Sequence, residues 1–473
     1  MVIRIAKKEL IEMLRDGRFR WVSLVVLGLL GTALVMGFRH ERDLSEQHEL
    51  ARRGTRDHWL GQGGKNPHSA AHYGIYAFKP AMALSAIDPG VDPYVGVAAW
   101  LEAHRQNQFE FRPAQDATAV QRFGELTAAT VLQLLIPLLV IVLAFSAFAG
   151  ERESGTLRQL LSLGVAPGQL ATGKALGIAG ALLSVLVPAA VIGVAAMTKS
   201  SESALVAADA PRLALMVLAY VMYFGVFAGI ALAVSAKAPS SRLALVALLG
   251  FWIVNGLIAP RAATDIARAV HPSPSAFAFT DGIQKALDSG LDGRQPYDER
   301  HKAFEKEVLA KYGVDKVENL PVNFAGLSLQ KGEEWGNEVF DHFYGDLHRT
   351  FHEQSRVREL VSAFAPLLAV QALSMGLAGT DFAQHRDFAD AAEKYRRMLV
   401  ERMNLDMAKN AGKLDYEYVA SPELWASVPD FDYEAPSVRW VLTNHATSAV
   451  ILILWVGIAV LAAYRAASRI QPA

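Results

Sequence analysis

The sequence predicts an all-α integral membrane protein, with six transmembrane helices and a large, mainly helical extracytoplasmic domain. Three observations predict it. Six apolar runs are each long enough to cross a bilayer, which takes roughly 17–25 residues. Four short segments that carry lysine and arginine fall on one side of that count. Two polar stretches, 39–125 and 260–440, fall on the other side and are too long to be mere connections. The formal net charge of -1 over 473 residues gives no basic face for nucleic acid. The chain has no cysteine, so disulfides and thiolate metal sites are excluded.

The N-terminal "MVIRIAKKELIEMLRDGRF" places Ile3, Ala6, Leu10, Met13 and Leu14 on one helical face, with charges opposite. Residues 1–20 therefore predict an amphipathic helix lying along the membrane surface. The first span is Trp21–Phe38; no small-residue cleavage pattern follows Met36, so it is expected to remain as an anchor. The first insertion, 39–125, holds "NPHSAAHYGIYAFKP" and "IDPGVDPYVG", dense in turn residues, and predicts turns and short strands. Residues 126–259 carry spans two to five: Leu126–Ala149, Ala171–Met197, Leu213–Val234 and Leu243–Ala259. Lys174, near the start of the third, is placed where a lysine can snorkel to the interface.

The second insertion, 260–440, predicts helices over Glu299–Tyr312, Glu333–Glu359 and Asp381–Asn410. In the last of these Phe388, Ala391, Tyr395, Met398 and Leu405 form the apolar repeat. Val361–Gly379, "VSAFAPLLAVQALSMGLAG", is apolar enough to span, but Pro366, Gln371 and Ser374 interrupt it. Counting it as a span would put the tail on the opposite face from the N-terminus. A buried or interface-lying helix fits better. Val441–Tyr464 is the sixth span and 465–473 the tail.

Orientation follows from the short loops, since lysine and arginine mark the cytoplasmic side. Arg4, Lys7, Lys8, Arg15, Arg18 and Arg20 precede the first span; Arg152 and Arg158 follow the second; Lys237 and Arg242 follow the fourth; Arg465 and Arg469 end the chain. Both termini are expected in the cytoplasm.

A loop that only reverses direction needs only turn residues, yet the second span is followed at once by "GERESGTLRQLLSLG", residues 150–164. An N-terminal helix ending in "LRDGRFR", then a span, then a second span closed by "ERESGTL" resembles the permease subunit of an ABC-2-type transporter. The resemblance implies that 150–164 is a coupling helix docking into a separate ABC ATPase subunit, through Glu151, Arg152, Glu153, Gly155, Thr156 and Leu157. It also implies a second permease copy or a paralogue, lipid around the spans, and the bacterial cytoplasmic (inner) membrane. ATP would be bound by the partner, so no cofactor is expected here. The residue types suit the role: acids favour a helix N-terminus, Gly155 allows close approach, and Leu157 can seat in a cleft. The alternative is a solvated loop whose charges only hold topology. "AHYGIYAFKP", "DPGVDPYVG", "WLEAHRQN" and "LAGTDFAQHRDFADAAEKYR" resemble outer insertions of a subfamily related to the permease of nitrous-oxide-reductase maturation, but carry no transferable role.

Other motifs are weaker. Gly168, Gly173, Lys174 and Ala175 approach a phosphate-binding loop, but Ala175 has no hydroxyl for magnesium and no strand precedes it. Gly173 with Gly177, and Gly225 with Gly229, allow close helix packing, inside the chain rather than between subunits. Gln133 with Pro137, and Asn255, either line a path or hydrogen-bond between helices. His348 and His352 lie four apart beside Asp341, His342 and Asp346, but Arg349 stands where a zinc protease needs glutamate. They are expected to be solvated, and no metal is expected. No catalytic motif appears, so ATP hydrolysis falls to the partner, coupled to substrate translocation with export the expected direction. The alternatives are an ATP-driven mechanical relay to a periplasmic partner and a membrane-anchored metal-dependent hydrolase.

Overall fold

In the computed structural model, which describes residues 1–112, 114, 126–200 and 203–470, six helices are long and apolar enough to cross a membrane. They are Gly17–Leu60, Ala128–Glu153, Pro167–Lys199, Asp209–Lys237, Ser241–Val270 and Ala446–Ser468. The bundle core joins Leu30 and Phe38 of the first to Val140, Ile178, Phe227, Leu248 and Leu452 of the other five. Gly229 of the fourth lies against the backbone of Ala459 in the sixth, where an added Cβ would come within 2.9 Å. Its sequence partner Gly225 faces open space. The described residues outside these helices are also mainly helical.

Three boundaries differ from the sequence expectation. The first helix does not end at Phe38 but runs 44 residues to Leu60, about 66 Å at 1.5 Å per residue. Residues 39–60 hold no proline, and Glu49 pairs with Arg52 and Arg53 along one helical face. The fifth helix passes through Pro260 to Val270. The sixth begins at Ala446, because Val438–Asn444 is a separate short helix ending at His445.

The N-terminal helix, Val2–Arg15, packs along the third span rather than merely lying on a surface. Val2 and Ile5 meet Gly173, Glu9 meets Gly177 and Leu10 meets Gly180, so the two helices run in the same direction. Gly173 and Gly177 thus serve packing within the chain. Tyr464 lies against Gly168, so both ends of the chain reach the same end of the bundle.

The long first helix carries Trp59 into a second core at the opposite end. There Trp59 is fully buried with Ile75, Leu101, Phe388, Leu399, Met403 and Trp425. Its indole N–H donates to the Trp425 carbonyl at 3.0 Å, and Trp425 donates to the Gly63 carbonyl at 2.7 Å. The expected short strands form one antiparallel sheet in the order β1-β2-β3. They are β1 (Ile75–Phe78), β2 (Ala98–Glu102) and β3 (Arg105–Gln106), with Ile75 opposite Leu101 and Glu102 opposite Arg105. The rest of that insertion, 113 and 115–125, lies outside the described residues.

Helix Phe382–Asn410 covers the sheet with Phe388, Ala392, Tyr395, Leu399 and Met403, while Leu405 is exposed and Ala391 only partly buried. The apolar face is therefore rotated from the one that the sequence suggested. Pro366–Ala378 is a buried helix and belongs to the bundle core, through Leu367, Ala369, Val370, Leu373 and Leu377. It settles the ambiguous 361–379 stretch: this helix docks the domain onto the spans.

Candidate functional site

The segment 150–164 forms two short helices, Ala149–Glu153 and Thr156–Ser162, broken at Gly155. Gly155 has φ +75°, a left-handed conformation that glycine adopts without strain, and a Cβ there would meet nothing. Its role within the chain is conformational, and it faces open space.

Each of the three charged residues before it is tied to a different part of the bundle. Arg152 donates to the carbonyls of Ala236 and Ala238 at 2.6 and 2.7 Å, closing the C-terminal end of the fourth span. Glu153 accepts from the backbone N–H and hydroxyl of Ser241 at 2.9 and 2.7 Å, at the first turn of the fifth. Glu151 pairs with Lys174 of the third span at 2.8 Å, and Lys174 also holds Glu9 of the N-terminal helix at 2.9 Å. Lys174 is 1% exposed, so it bridges two acids instead of snorkelling. It lies inside a continuous helix, which removes the phosphate-loop resemblance.

Leu157 is 4% exposed and packs into the bundle, so it is not available to a partner's cleft. The apolar side chain that points outward is Leu163, 80% exposed just before Gly164. Thr156, Arg158 and Gln159 share the exposed surface. The left-handed break at Gly155 sets the phase of the following helix, turning Leu157 inward and leaving Leu163 outside.

Gln133 and Asn255 sit in matching places. Each lies in a π-helical turn, Val131–Leu135 and Val254–Ile258, and each turn is followed two residues later by proline, Pro137 or Pro260. Pro137 has no N–H, which leaves the Gln133 carbonyl without its usual helical donor. The Tyr223 hydroxyl supplies one at 3.0 Å. Asn255 donates to that same hydroxyl at 3.2 Å and accepts from the Leu367 N–H at 3.1 Å. The Gln133 carboxamide donates to Tyr220 at 3.1 Å and accepts from Gln371 at 3.2 Å. Tyr220 meets Ser374 at 2.9 Å, and Ser374 donates to Asp88 at 2.6 Å. Both candidate pathway residues are thus buried and fully paired. They join the second, fourth and fifth spans to the buried helix of the domain.

The histidines also rearrange the expectation. His352 is exposed as expected, but His348 is half-buried against Phe382, and burial pushes its pKa down to about 4. Both line a cavity of about 450 Å³ with Asp381, Arg386 and His445. A different trio converges: His68, His72 and His104. His68 and His72 lie four apart on the helix Pro67–Tyr73, and His104 is on the turn between β2 and β3. The H-x-x-x-H spacing in "NPHSAAHY" was readable in the sequence. The contribution of His104, thirty-odd residues away, was not.

Fold and geometry define a six-span membrane protein with one large, mainly helical domain assembled from two insertions. Residues 276–434, most of the second insertion, match the family model of a domain of unknown function, DUF3526. No curated protein matches the chain.

Proposed function

We propose that the chain is the membrane-spanning subunit of an ABC-2-type transporter and passes the work of a separate ABC ATPase to the far side of a bacterial cytoplasmic membrane. One observation carries the reading. Residues 149–163 are wired inward to the N-terminal helix and to the third, fourth and fifth spans, yet expose a ridge from Gly155 to Leu163. A partner pushing on that ridge would move four helices together. Lysine and arginine gather at this end, which supports a cytoplasmic location for it and for both termini.

Of the apolar stretch of the fifth span, as of the sixth, only 17% is buried within the chain, against 61% for the second. Val246, Leu257 and Ile258 leave an apolar face on it that suits a second copy or a paralogue. The second span, by contrast, is enclosed by its own chain. Affinity purification of the full chain from its membrane tests the reading. An ABC ATPase subunit should be retained in about equal amount, and its hydrolysis should depend on the chain; retention of no such subunit contradicts it.

A second reading has an observation of its own. The Gln133–Tyr223–Asn255 network runs into the domain helix Pro366–Ala378, so motion of the spans reaches the outer domain with no substrate path between them. That favours a mechanical relay to a periplasmic partner. ATP hydrolysis that responds to no transported substrate, but to a periplasmic protein, would select it.

A further inference from the structure

His68, His72 and His104 bring three imidazole Nε2 atoms together on the surface of the outer domain, away from the bundle. The His72 and His68 Nε2 atoms are 3.2 Å apart, and those of His104 and His68 are 3.4 Å apart. A tetrahedral cation with nitrogen ligands at 2.0–2.1 Å places neighbouring ligands about 3.3–3.4 Å apart. Both spacings match that of a coordination sphere, and all three imidazoles offer a nitrogen within 4.8 Å of one another.

The partner of its outer ring nitrogen assigns the His104 tautomer. His104 Nδ1 lies 2.7 Å from Glu333 Oε1, which also accepts the His104 backbone N–H at 2.6 Å. Glu333 is itself buried and held by Arg396 at 3.1 Å. A carboxylate accepts only, so the His104 proton sits on Nδ1 and its Nε2 carries a lone pair. His68 Nδ1 is buried without a hydrogen-bond partner, so nothing in the chain holds the His68 proton on Nε2. With that proton on Nδ1, the His68 Nε2 lone pair faces that of His104 at 3.4 Å, the arrangement that a cation between the rings requires.

The backbone supports the same arrangement. His104 has φ +65° in the turn between β2 and β3, a conformation unfavourable for a side-chain-bearing residue. Both its backbone N–H and its ring are pinned by one carboxylate, which fixes the direction of Nε2. Glutamate behind a histidine is the support that metal-binding imidazoles commonly have.

We propose that His68, His72 and His104 bind one divalent transition cation of the zinc class through their Nε2 atoms, with the fourth position open to solvent. The donor set selects the class: neutral imidazoles suit zinc, copper or nickel, and without a carboxylate ligand the site does not suit calcium or magnesium. Exposure of His72 and His104 leaves the fourth position accessible. The site is independent of the ATPase-docking proposal and stands or falls without it.

The test uses the purified full chain in detergent, stripped with a chelator and titrated with Zn²⁺ against a chromophoric competitor. One equivalent per chain should bind in the submicromolar range, and Co²⁺ should give the intense visible absorption of a tetrahedral site. His72→Ala should weaken binding at least about a hundredfold, and Glu333→Gln by about ten- to a hundredfold. His342→Ala, on an exposed face of the helix Phe324–Val361, should change nothing. His72 is exposed, so its loss leaves the fold intact, and the Co²⁺ spectrum of the unmodified chain needs no variant at all. Binding that survives His72→Ala, or a Co²⁺ spectrum that remains that of the hydrated ion, overturns the proposal and leaves three imidazoles joined by N–H···N hydrogen bonds.

Discussion

Glu151 and Lys174 meet at 2.8 Å, and the ammonium that neutralises Glu151 also neutralises Glu9 at 2.9 Å. One buried lysine thus joins the segment after the second span, the third span and the N-terminal helix. Removing one partner of a buried ion pair costs about 3–5 kcal/mol, because the other charge is left without compensation. Lys174→Met removes the buried partner of both acids, leaving them only the half-exposed Lys8 at 3.2 Å from Glu9 and 3.5 Å from Glu151, and should lower thermal stability in detergent by up to about that much. Glu151→Gln leaves Lys174 its bond to Glu9 and should cost clearly less. Equal losses would mean that the cluster is not organised around the lysine.

The π-helical turns make a graded prediction. Tyr223→Phe removes the hydroxyl that serves the Gln133 carbonyl and accepts from Asn255. Hydrogen bonds between membrane helices contribute about 0.6 kcal/mol on average and up to about 1.7. A loss near the upper figure is expected, since two bonds go at once. Asn255→Leu should cost more, about 1–3 kcal/mol, because it also leaves the buried Leu367 N–H without an acceptor. Unfolding in detergent, followed by near-ultraviolet circular dichroism, reads both.

Acid should loosen the outer domain. Burial pushes the His385 pKa down to about 3, with Lys79, His348 and Arg112 opposing its charge; His348, beside Arg386, is pushed down to about 4. Both therefore take up protons more readily unfolded than folded. Their stabilising contribution is complete above pH 6.5 and is lost as pH falls toward their folded values. For His385 the loss is roughly 2 kcal/mol between pH 6.5 and pH 5, at 1.36 kcal/mol per unit. The thermal midpoint should fall over that range, and His348→Gln with His385→Gln should flatten the slope. An unchanged slope would place protonation elsewhere.

Sidedness can be read directly, because the chain has no cysteine of its own. Ser154 and Ser355 are both exposed, Ser154 just after the second span and Ser355 in the domain near the start of the sixth. A cysteine at Ser154 should react with an impermeant maleimide only from the cytoplasmic face, and one at Ser355 only from the other. Labelling of both from one side would overturn the six-span arrangement.

The spans were legible because length and hydropathy alone set them. Their ends were not: residues 39–60 are polar in composition, yet helix propensity and the Glu49 pairs carry the first helix straight through them. The buried helix Pro366–Ala378 was visible as an apolar run, but its depth depends on Gln133, Asn255 and Tyr220 meeting its polar groups. The burial of Leu157 within the chain was not legible, because the left-handed Gly155 rotates the following helix, a conformation that sequence permits but does not dictate. The histidine trio was half legible, through the spacing of His68 and His72. Its third member depends on tertiary contact with Glu333.

The central claim is that the ridge from Gly155 to Leu163 receives an ABC ATPase. Arg158→Glu with Leu163→Asp changes only exposed side chains, so folding stability should move by no more than about half a kcal/mol. At an interface the same changes can cost several kcal/mol, on the order of a hundredfold or more in affinity. The measurement is the amount of ATPase subunit retained on the purified double variant relative to the unmodified chain, with Leu405→Asp on the outer domain as control. The ridge variant should lose the subunit while the control keeps it; full retention by both would show that the ridge is only a turn between spans.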